Sequence, residues 1–524
     1  MKRNLLLLIA VFVCTYSFGQ GEIDAHRYSS NELSGSARGQ AMGGAFGALG
    51  GDITGIAVNP AGVGVYRSSE LVANMSVASN NAKTDWGGAT NSQSKTKFSF
   101  DNLAYVGYFP LGNSSLSSIN FGFNYNRLKN FDRRYSTSGS GMQASLTDYI
   151  AAVTSDFNDE EGIYYDDMNA TSSYDPYSSR AGLPWLSVLG WTGHLMDQRN
   201  GSKYQYQGLF QGNPGERPSI NMNVTEKGYI ETYDFTLGTG IADRLYLGLT
   251  FSITDMFYSM RSTYGENFSG GGYTLDNYLE TDGSGYQLKV GAIYRPADFL
   301  RLGVAYYSPT WYSMTDYFWA ETYANYTQPN GENASNVRAK TPDDAFSNYH
   351  LRTPYSWTFS AAAIIGTQAI LSLDYEIKDY KSMKLEDSNG YEFKSDNGYI
   401  DNDFKVASTV RIGAEYKFTP QFSGRLGYAW MQNPYEADFG DGKREVMTAG
   451  TVTHYTLDGD VNYFTAGIGY RFTPRFYMDA AFVYRAQKND LYFYSPIEAL
   501  DVASYPASYD LKTYKGMLTL GYKF

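Results

Sequence analysis

Regular alternation of apolar and polar residues is the sequence feature that most restricts how this chain can fold. In one such segment Val410 and Ile412 fall on one face, whereas Arg411 and Glu415 fall on the other. Because successive side chains of a β-strand point to opposite faces, a period of two predicts strands with one apolar and one polar face. The pattern recurs from Glu70 to the end of the chain, so we expect an all-β fold.

The connections between the predicted strands alternate between short and long. Brief turns, such as those at residues 242–244 and 419–420, follow every second strand. Long polar loops are expected after the others, at residues 80–96, 128–226, 265–283, 318–352, 386–403, 436–459 and 488–509. Short turns at one rim and long loops at the other are typical of outer-membrane barrels. A soluble β-sandwich would also alternate and is the simpler alternative.

Fourteen segments have the strand pattern, an even number that returns both chain ends to the same side of a membrane. In hydrocarbon every backbone N–H and C=O needs an internal partner, and a closed barrel supplies one for each. Nine charged residues lie opposite apolar ones and are expected to face inward, namely Asp101, Asp234, Lys289, Arg411, Glu415, Arg425, Arg471, Asp479 and Arg485. We therefore predict a transmembrane antiparallel β-barrel of about 14 strands with a wet or plugged lumen.

Both ends of the chain carry features of exported barrel proteins. Residues 1–19 combine a basic start with an apolar run at residues 5–13, which predicts a secretory signal peptide. That run is shorter than the roughly 18 residues that a spanning helix needs. At the other end, Phe524 terminates an alternating strand, which resembles the signal that bacterial barrel-assembly machinery recognises.

The segment before the first strand, residues 20–68, is rich in glycine and alanine and does not alternate. It ends with the run Asn59, Pro60, Ala61 and Gly62. A phosphate-binding loop would need a Gly-Lys-Ser/Thr ending and a preceding strand, and neither is present. Small residues do allow backbone to pack closely inside a narrow lumen.

An Ala/Gly-rich segment that ends in Asn-Pro-Ala-Gly before a fourteen-strand barrel resembles the long-chain fatty-acid transporter family (FadL-like proteins). The resemblance covers the architecture of the mature chain and, at motif level, residues 36–68. It implies that residues 20–68 form a hatch inside the lumen and that residues 69–524 form the barrel. It also implies capture of hydrophobic molecules at the outer surface, movement of the hatch, and lateral exit through the barrel wall.

The longest loop, residues 128–226, is expected to be partly helical. One helical pattern includes Leu146, and a second follows Pro184. For the second we predict a groove that binds an apolar ligand, lined by Trp185, Leu186, Leu189, Trp191 and Leu195. Burial of an alkyl chain contributes about 0.8 kcal/mol per CH₂, so a shallow groove would suffice. Simple packing of the loop is the alternative.

Composition restricts the partners and the chemistry. A net charge of −12 without runs of Lys or Arg argues against a nucleic-acid partner. The single cysteine, Cys14, lies in the predicted signal peptide and the four histidines are scattered, so we predict no metal and no cofactor. The acidic stretch at residues 156–167 could bind divalent cations or bridge to lipopolysaccharide, but its spacing is not that of an EF-hand loop and a solvated loop is the preferred interpretation. His454 near Asp458 suggests a hydrolase pair, but no Gly-x-Ser-x-Gly motif accompanies it, so we predict no catalytic residue and no enzyme.

The leading functional prediction is transport of hydrophobic compounds, long-chain fatty acids or similar, across the cell outer membrane. The expected partners are hydrophobic small molecules, outer-membrane lipid and lipopolysaccharide, and the barrel-assembly machinery. A polar-solute porin, which a charged lumen would suit, and a surface adhesion barrel are the alternatives. A membrane-bound lipid hydrolase is a third.

Overall fold

The computed structural model describes residues 21–111, 115–156, 162–179, 182–210, 217–327, 333–442, 444–446, 448–497 and 502–524. The predicted signal peptide and part of the acidic stretch, residues 157–161, lie outside the described residues. Within the described ranges, no helix combines the length and the apolar character needed to cross a membrane.

The described part of the chain is mostly strand. Along the sequence the strands are β1 (Glu70–Trp86), β2 (Ala89–Pro110), β3 (Leu116–Asn130), β4 (Arg133–Ser140), β5 (Met196–Gln198), β6 (Tyr206–Gly208), β7 (Ser219–Ile241), β8 (Leu245–Phe268), β9 (Gly271–Ala297), β10 (Leu300–Tyr307), β11 (Trp311–Thr327), β12 (Asn333–Lys340), β13 (Ala345–Arg352), β14 (Ser356–Ile365), β15 (Ala369–Asp379), β16 (Lys384–Asp387), β17 (Val406–Lys417), β18 (Phe422–Met431), β19 (Tyr455–Arg471), β20 (Phe476–Tyr492) and β21 (Ala507–Lys523). The α-helices are α1 (Glu22–Ser29), α2 (Ala37–Ala41), α3 (Ile53–Val58), α4 (Leu146–Ser155), α5 (Trp185–Thr192), α6 (Lys394–Asp403) and α7 (Ala437–Gly440). Short 3₁₀ helices span Pro60–Val65, Tyr165–Met168, Arg199–Gly201 and Tyr380–Ser382.

Fourteen of these strands form a closed antiparallel barrel, which confirms the predicted fold and strand number. Their order around the wall is β1, β2, β3, β7, β8, β9, β10, β14, β15, β17, β18, β19, β20 and β21. The last strand pairs with the first along its whole length, from Glu70 opposite Lys523 to Asp85 opposite Ser508. Every barrel strand therefore has a partner on both sides, as hydrocarbon requires.

The barrel wall has an apolar outer face and a polar inner face at the level of the membrane. On β8 the outward side chains of Leu249, Phe251 and Ile253 are 43–49% exposed, whereas Thr250 and Ser252 between them are at most 1% exposed. Hydrocarbon covers such an outer band, while the inner face contacts other parts of the chain. This polarity matches the predicted barrel and not a soluble sandwich.

Several segments predicted as loops are paired strands, and the prediction was wrong for residues 80–96 and 265–283. β1 pairs with β2 as far as Trp86, and β8 pairs with β9 as far as Phe268. These hairpins extend the barrel wall beyond the membrane.

The physical reason is an inversion of polarity above the membrane. On the upper part of β9, Leu275 and Leu279 face inward and are at most 2% exposed, whereas Asp276 and Glu280 face outward. There the outer face meets water, while the inner face covers a core of loops. Apolar and polar residues still alternate in this part of the strand, but the apolar residues now face inward and the polar residues outward. In the sequence such a segment resembles a polar loop.

The extracellular end of the barrel is closed by what we call the cap, formed by α4, α5 and the upper halves of the strands around them. Both helices predicted in the long loop are present. Ser145 caps α4 through its side chain, and Pro184 precedes the first turn of α5. The cap encloses a continuous apolar core that includes Leu146, Ile150, Val188, Leu189 and Leu195, all at most 1% exposed.

Candidate functional site: the segment inside the barrel

Residues 21–66, which we call the hatch segment, lie inside the barrel and are almost entirely buried. The segment folds as α1, α2, α3 and the 3₁₀ helix that begins at Pro60. Two of its short helices, α2 and α3, begin at polar caps: Ser36 Oγ accepts from Gly39 N, and Asp52 accepts from Thr54 N at 2.9 Å. Ser36 Oγ also donates to Asp52 at 2.8 Å, so the two caps support each other. Local capping thus gives a glycine-rich chain a defined shape.

Asn59, the first residue of the predicted motif, joins three parts of the molecule. Its Oδ1 accepts a hydrogen bond from Ala61 N at 3.0 Å, which fixes the start of the 3₁₀ helix. Its Nδ2 donates to Gly47 O at 2.7 Å, elsewhere in the hatch segment. The same nitrogen lies 3.2 Å from Ala292 O and 3.3 Å from Val304 O, on the paired strands β9 and β10. The amide therefore fastens the motif to the barrel wall.

The rest of the motif packs without exposed surface. Pro60 occupies the first turn of the 3₁₀ helix, where its missing N–H removes no hydrogen bond. Ala61 is fully buried. A Cβ added to Gly62 would lie 3.0 Å from the carbonyl carbon of Gly55, so a glycine permits the close approach of the two turns.

Glycines on the inner face of the wall form the surface on which the motif lies. A Cβ on Gly291 of β9 would lie 1.9 Å from Asn59 Oδ1, and one on Gly248 of β8 would lie 2.1 Å from the Pro60 carbonyl carbon. On β10, a Cβ on Gly303 would lie 2.4 Å from Gly47 O. Strand glycines thus let the hatch backbone rest directly on the wall backbone.

A second contact of the same kind lies further round the wall, on β17 and β18. A Cβ on Gly413 would lie 2.4 Å from Met42 O, and one on Gly427 would lie 2.1 Å from Gly43 N. Sequence analysis did not identify these wall glycines as part of the site. The sequence does place these glycines on the inward face of their strands. That position indicates a binding surface only when it is known that the hatch segment packs against it.

Buried ion pairs connect the hatch segment to the same wall. Arg38 Nε and Nη2 donate to the two oxygens of Glu415 at 2.8 and 3.0 Å. Arg425 bridges Glu415 and Asp479 at 2.6 and 2.5 Å. Burial disfavours the charge on Arg38, but Glu415 more than offsets this and raises the guanidinium pKa above its usual value. A bidentate carboxylate is the geometry in which Arg binds most strongly.

The predicted inward charges are thus mostly structural partners of the hatch segment or of each other. Lys289 pairs with Asp234 at 3.1 Å. Asp374, which was not among the nine predicted residues, accepts from Phe46 N and Gly47 N of the hatch segment at 2.9 and 3.0 Å. Arg471, by contrast, is exposed at the rim of the barrel opposite the cap.

Above the motif the lumen keeps small polar cavities. One of about 160 Å³ lies between the hatch segment and β9, β10, β15 and β17, and includes Glu32, Lys378 and Arg411 in its lining. A second of about 120 Å³ lies on the other side of Glu32, next to Lys129 and Arg485. The interior at this level is therefore polar rather than apolar.

The five residues predicted to line a ligand groove lie in and around α5. Leu189 and Leu195 are fully buried in the cap core, and Leu186 packs against it. Trp191 Nε1 donates to Asn169 Oδ1 at 3.0 Å, and the Trp185 ring lies 5.2 Å from that of Phe318. Packing within the cap accounts for these contacts, and the ligand groove remains a prediction.

A separate extracellular cleft of about 210 Å³ opens between three loops. Its walls include Trp86 from the β1–β2 hairpin, Met142 from the segment before α4, and Phe493 and Tyr505 from the segment after β20. The Trp86 and Phe493 rings pack edge to face at 5.3 Å, and Trp86 Nε1 donates to Tyr505 O at 3.3 Å. Sequence analysis missed this cleft because its residues are far apart in the chain.

His454 does not have the surroundings of a general base. It is 7% exposed, at a site whose lining includes Arg27 of α1, Arg133 of β4 and Glu226 of β7. Burial lowers its pKa to about 4, so its imidazole is neutral at pH 7. Among the described residues, no group of three or more His, Cys, Asp or Glu side chains has the arrangement of a metal site.

The sequence and the structure were compared with protein families and with proteins of known structure. A protein family described as outer membrane protein transport protein (OMPP1/FadL/TodX) matches residues 235–524. No curated protein matches the chain.

Among solved structures, a FadL homologue of Pseudomonas aeruginosa is 13% identical and has a TM-score of 0.54, covering 94% of this chain and 99% of its own. The ΔS2 mutant of the TodX monoaromatic hydrocarbon channel is 13% identical with a TM-score of 0.50, covering 93% and 98%. The Pseudomonas putida toluene transporter TodX is 12% identical with a TM-score of 0.48, covering 93% and 98%. At these identities the likeness concerns the fold. Because the family match extends over more than half of the sequence, this chain belongs to the OMPP1/FadL/TodX family of outer membrane transport proteins.

Proposed function

We propose that the protein carries hydrophobic compounds, such as long-chain fatty acids or similarly apolar molecules, across the outer membrane. The observation that carries this proposal is the attachment of the Asn59 motif to the barrel wall. Because the motif and its wall glycines are in backbone contact, a solute passes that level only when the hatch segment moves. A gated lumen in a family of membrane transport proteins suits regulated passage of a scarce solute better than constant diffusion.

Capture at the extracellular surface is the first step of the proposed path. Two places offer apolar surface, the predicted groove on α5 and the aromatic cleft at Trp86. The cleft has the stronger physical support, since it is an open space lined by rings, whereas Leu189 on α5 and Leu195 just after it are fully buried.

Lateral exit through the wall is the last step that we propose. The β2–β3 ladder runs from Pro110 opposite Ser118 to Asn102 opposite Asn126. Just above it, over residues 97–101 of β2, the described residues show no backbone pairing with β3, and Lys97 pairs with Asp132 instead. A seam of side chains opens at lower cost than a ladder of backbone hydrogen bonds, which supports an exit there.

Export and assembly complete the proposal. We infer that residues 1–19 direct export, that residues 20–68 act as the hatch of the barrel formed by residues 69–524, and that barrel-assembly machinery recognises the end of β21. Phe524 suits this last role, since its side chain is 56% exposed on the outside of the barrel and its ring lies 6.1 Å from that of Tyr105.

Uptake and conductance together test the proposal. Cells that express the full chain should take up oleate faster than cells without it, and uptake of small sugars should be unchanged. Deletion of residues 21–66 should open an ion-conducting pore in planar bilayers. Sugar uptake by the intact protein would favour the polar-solute porin, and unchanged conductance after the deletion would contradict a plugging hatch.

A further inference from the structure

The outward face of the extracellular sheet rises directly from the lipid-covered wall. On β8 the apolar band ends at Ile253 and is followed on the same face by Asp255. At this level Tyr286 of β9 stacks on Trp311 of β11, with ring centroids 5.4 Å apart, as expected of aromatic residues at a membrane interface.

This sheet continues well beyond the interface. From Tyr286 to Gly271, at about 3.3 Å per residue and a tilt of about 40°, β9 rises roughly 35–40 Å above the interface. In an outer membrane this height is occupied by the sugars and phosphates of lipopolysaccharide, which forms the outer leaflet. The outward face of the sheet is therefore in contact with this glycolipid, and any other ligand of the face would have to displace it.

One row of side chains crosses four neighbouring strands of this face. Arg261 of β8 lies opposite Tyr278 of β9, and Tyr278 lies opposite Trp319 of β11. The Tyr278 and Trp319 rings stack at 5.9 Å and 25°. The Arg261 guanidinium lies 5.0 Å from the Tyr278 ring, and Lys340 Nζ of β12 lies 5.4 Å from the Trp319 ring. We call these four residues the cation–aromatic row.

We propose that the cation–aromatic row is a binding site for the phosphorylated core sugars of lipopolysaccharide. Two nearly parallel rings side by side offer a flat surface to the apolar C–H face of a sugar ring. The Arg261 guanidinium at one end and the Lys340 ammonium at the other are suited to phosphate groups on the same oligosaccharide. Lys340 pairs with the exposed Asp343, a surface contact that a phosphate can displace at low cost.

The carboxylates around the row fit the same ligand. Glu280 accepts from the Tyr278 hydroxyl, Asp276 from the Thr263 hydroxyl, and Glu321 pairs with Arg338 at 2.9 Å. Carboxylates accept hydrogen bonds from sugar hydroxyls, and they reach phosphate through divalent cations. The mixture of rings, cations and carboxylates therefore favours a sugar phosphate over a simple phospholipid head group.

The test measures binding of O-antigen-free lipopolysaccharide to the purified full-length protein in detergent. We expect Tyr278→Thr with Trp319→Thr to weaken binding about tenfold or more. Arg261→Gln with Lys340→Gln should weaken it by about three- to tenfold, with a smaller deficit at high salt because the lost contacts are ionic. The matched control, Lys83→Gln with Lys488→Gln, removes two exposed cations from β1 and β20 and should leave binding unchanged.

Two further measurements separate a binding role from a structural one. Trp319→Phe keeps a ring in the row and should retain affinity while losing part of the tryptophan fluorescence change on binding. Dephosphorylated lipopolysaccharide should bind more weakly, and phosphatidylglycerol vesicles should not compete. Equal affinity of the wild type, both row variants and the control would overturn the proposal and leave the row as a stabiliser of the sheet. Equal competition by phosphatidylglycerol would overturn its specificity for sugars.

Discussion

The hatch segment and the cap are both held by the barrel wall, but the balance of polar and apolar contacts differs between them. The hatch segment contacts the wall through hydrogen bonds, ion pairs and backbone laid on glycines, as at Asn59, Arg38 and Gly291. Its apolar contacts with the wall form small separate clusters, such as that of Phe46 with Ala362. The cap is held by one large continuous apolar core around residues such as Leu189, which also takes in Tyr28 of α1. Water can replace most of the polar contacts of the hatch when it moves, whereas exposure of an apolar core has no such compensation.

The comparison suggests a division of labour within the lumen. A segment held by replaceable polar contacts is suited to reversible movement, while an apolar cap is suited to remaining folded and shaping the entrance. The following predictions test this division, from the largest expected effect to the smallest.

Displacement of the motif from its wall glycines should give the largest effect. In Gly291→Val the new side chain would overlap Asn59, whose Oδ1 lies 1.9 Å from the position of the added Cβ. We expect the hatch segment to undock and the barrel to conduct ions in planar bilayers. Gly516→Val is the control, because no atom lies within 4 Å of its added Cβ, and it should conduct as the wild type does. If the Gly291→Val variant conducts no ions, the motif does not seal the lumen.

Loss of the buried carboxylate should loosen the hatch without removing it. Glu415→Gln leaves Arg38 and Arg425 with Asp479 alone, and an uncompensated buried charge costs roughly 3–5 kcal/mol. Hydrogen exchange at the amides of α2 should become faster, while the amides of α4 in the cap keep their protection. The exposed pair of Lys83 with Asp85 offers the control, since Lys83→Gln should leave both regions unchanged. Equal acceleration in α2 and α4 would contradict independent anchoring.

Truncation of a side chain in the cap core should destabilise the cap but leave the lumen closed to ions. Leu189→Ala removes a fully buried side chain, and such changes cost about 2–5 kcal/mol. Leu186→Ala on the same helix removes a partly buried side chain and should cost clearly less. Urea unfolding followed by tryptophan fluorescence measures both, and planar-bilayer conductance should remain low in each variant. An open pore in Leu189→Ala would show that the cap, and not the hatch, seals the lumen.

Acid should destabilise the folded protein through His454, which lies where α1 of the hatch segment meets β4 and β7. Burial lowers the pKa of His454 to about 4 from an unfolded value near 6.5, so the unfolded chain binds the extra proton first as pH falls. The stability that the neutral imidazole contributes is complete above about pH 6.5 and is lost towards pH 4, by up to about 3 kcal/mol. The difference in unfolding free energy between the wild type and His454→Gln should therefore shrink over this range. Parallel pH profiles of the two proteins would refute this assignment.

Much of the fold could be predicted because one physical rule applies along the whole wall. Within the membrane every outward residue meets hydrocarbon, so Leu249, Phe251 and Ile253 reveal their strand without knowledge of its neighbours. The Asn-Pro-Ala-Gly run was likewise visible as a motif. The strand extensions were missed because above the membrane the apolar face of β9 turns inward, and a polar outer face resembles a loop.

The sequence by itself determined the barrel, its fourteen strands, the inward placement of most of its charges and the position of the hatch motif, since each depends on local periodicity or on adjacent residues. Only the tertiary structure decided that Arg38 meets Glu415, that Gly291 receives Asn59, and that Trp86 meets Phe493. Such contacts depend on strand register and on the path of the hatch through the lumen. Both are set by the packing of the whole molecule, because residues far apart in the chain become neighbours only when the barrel closes.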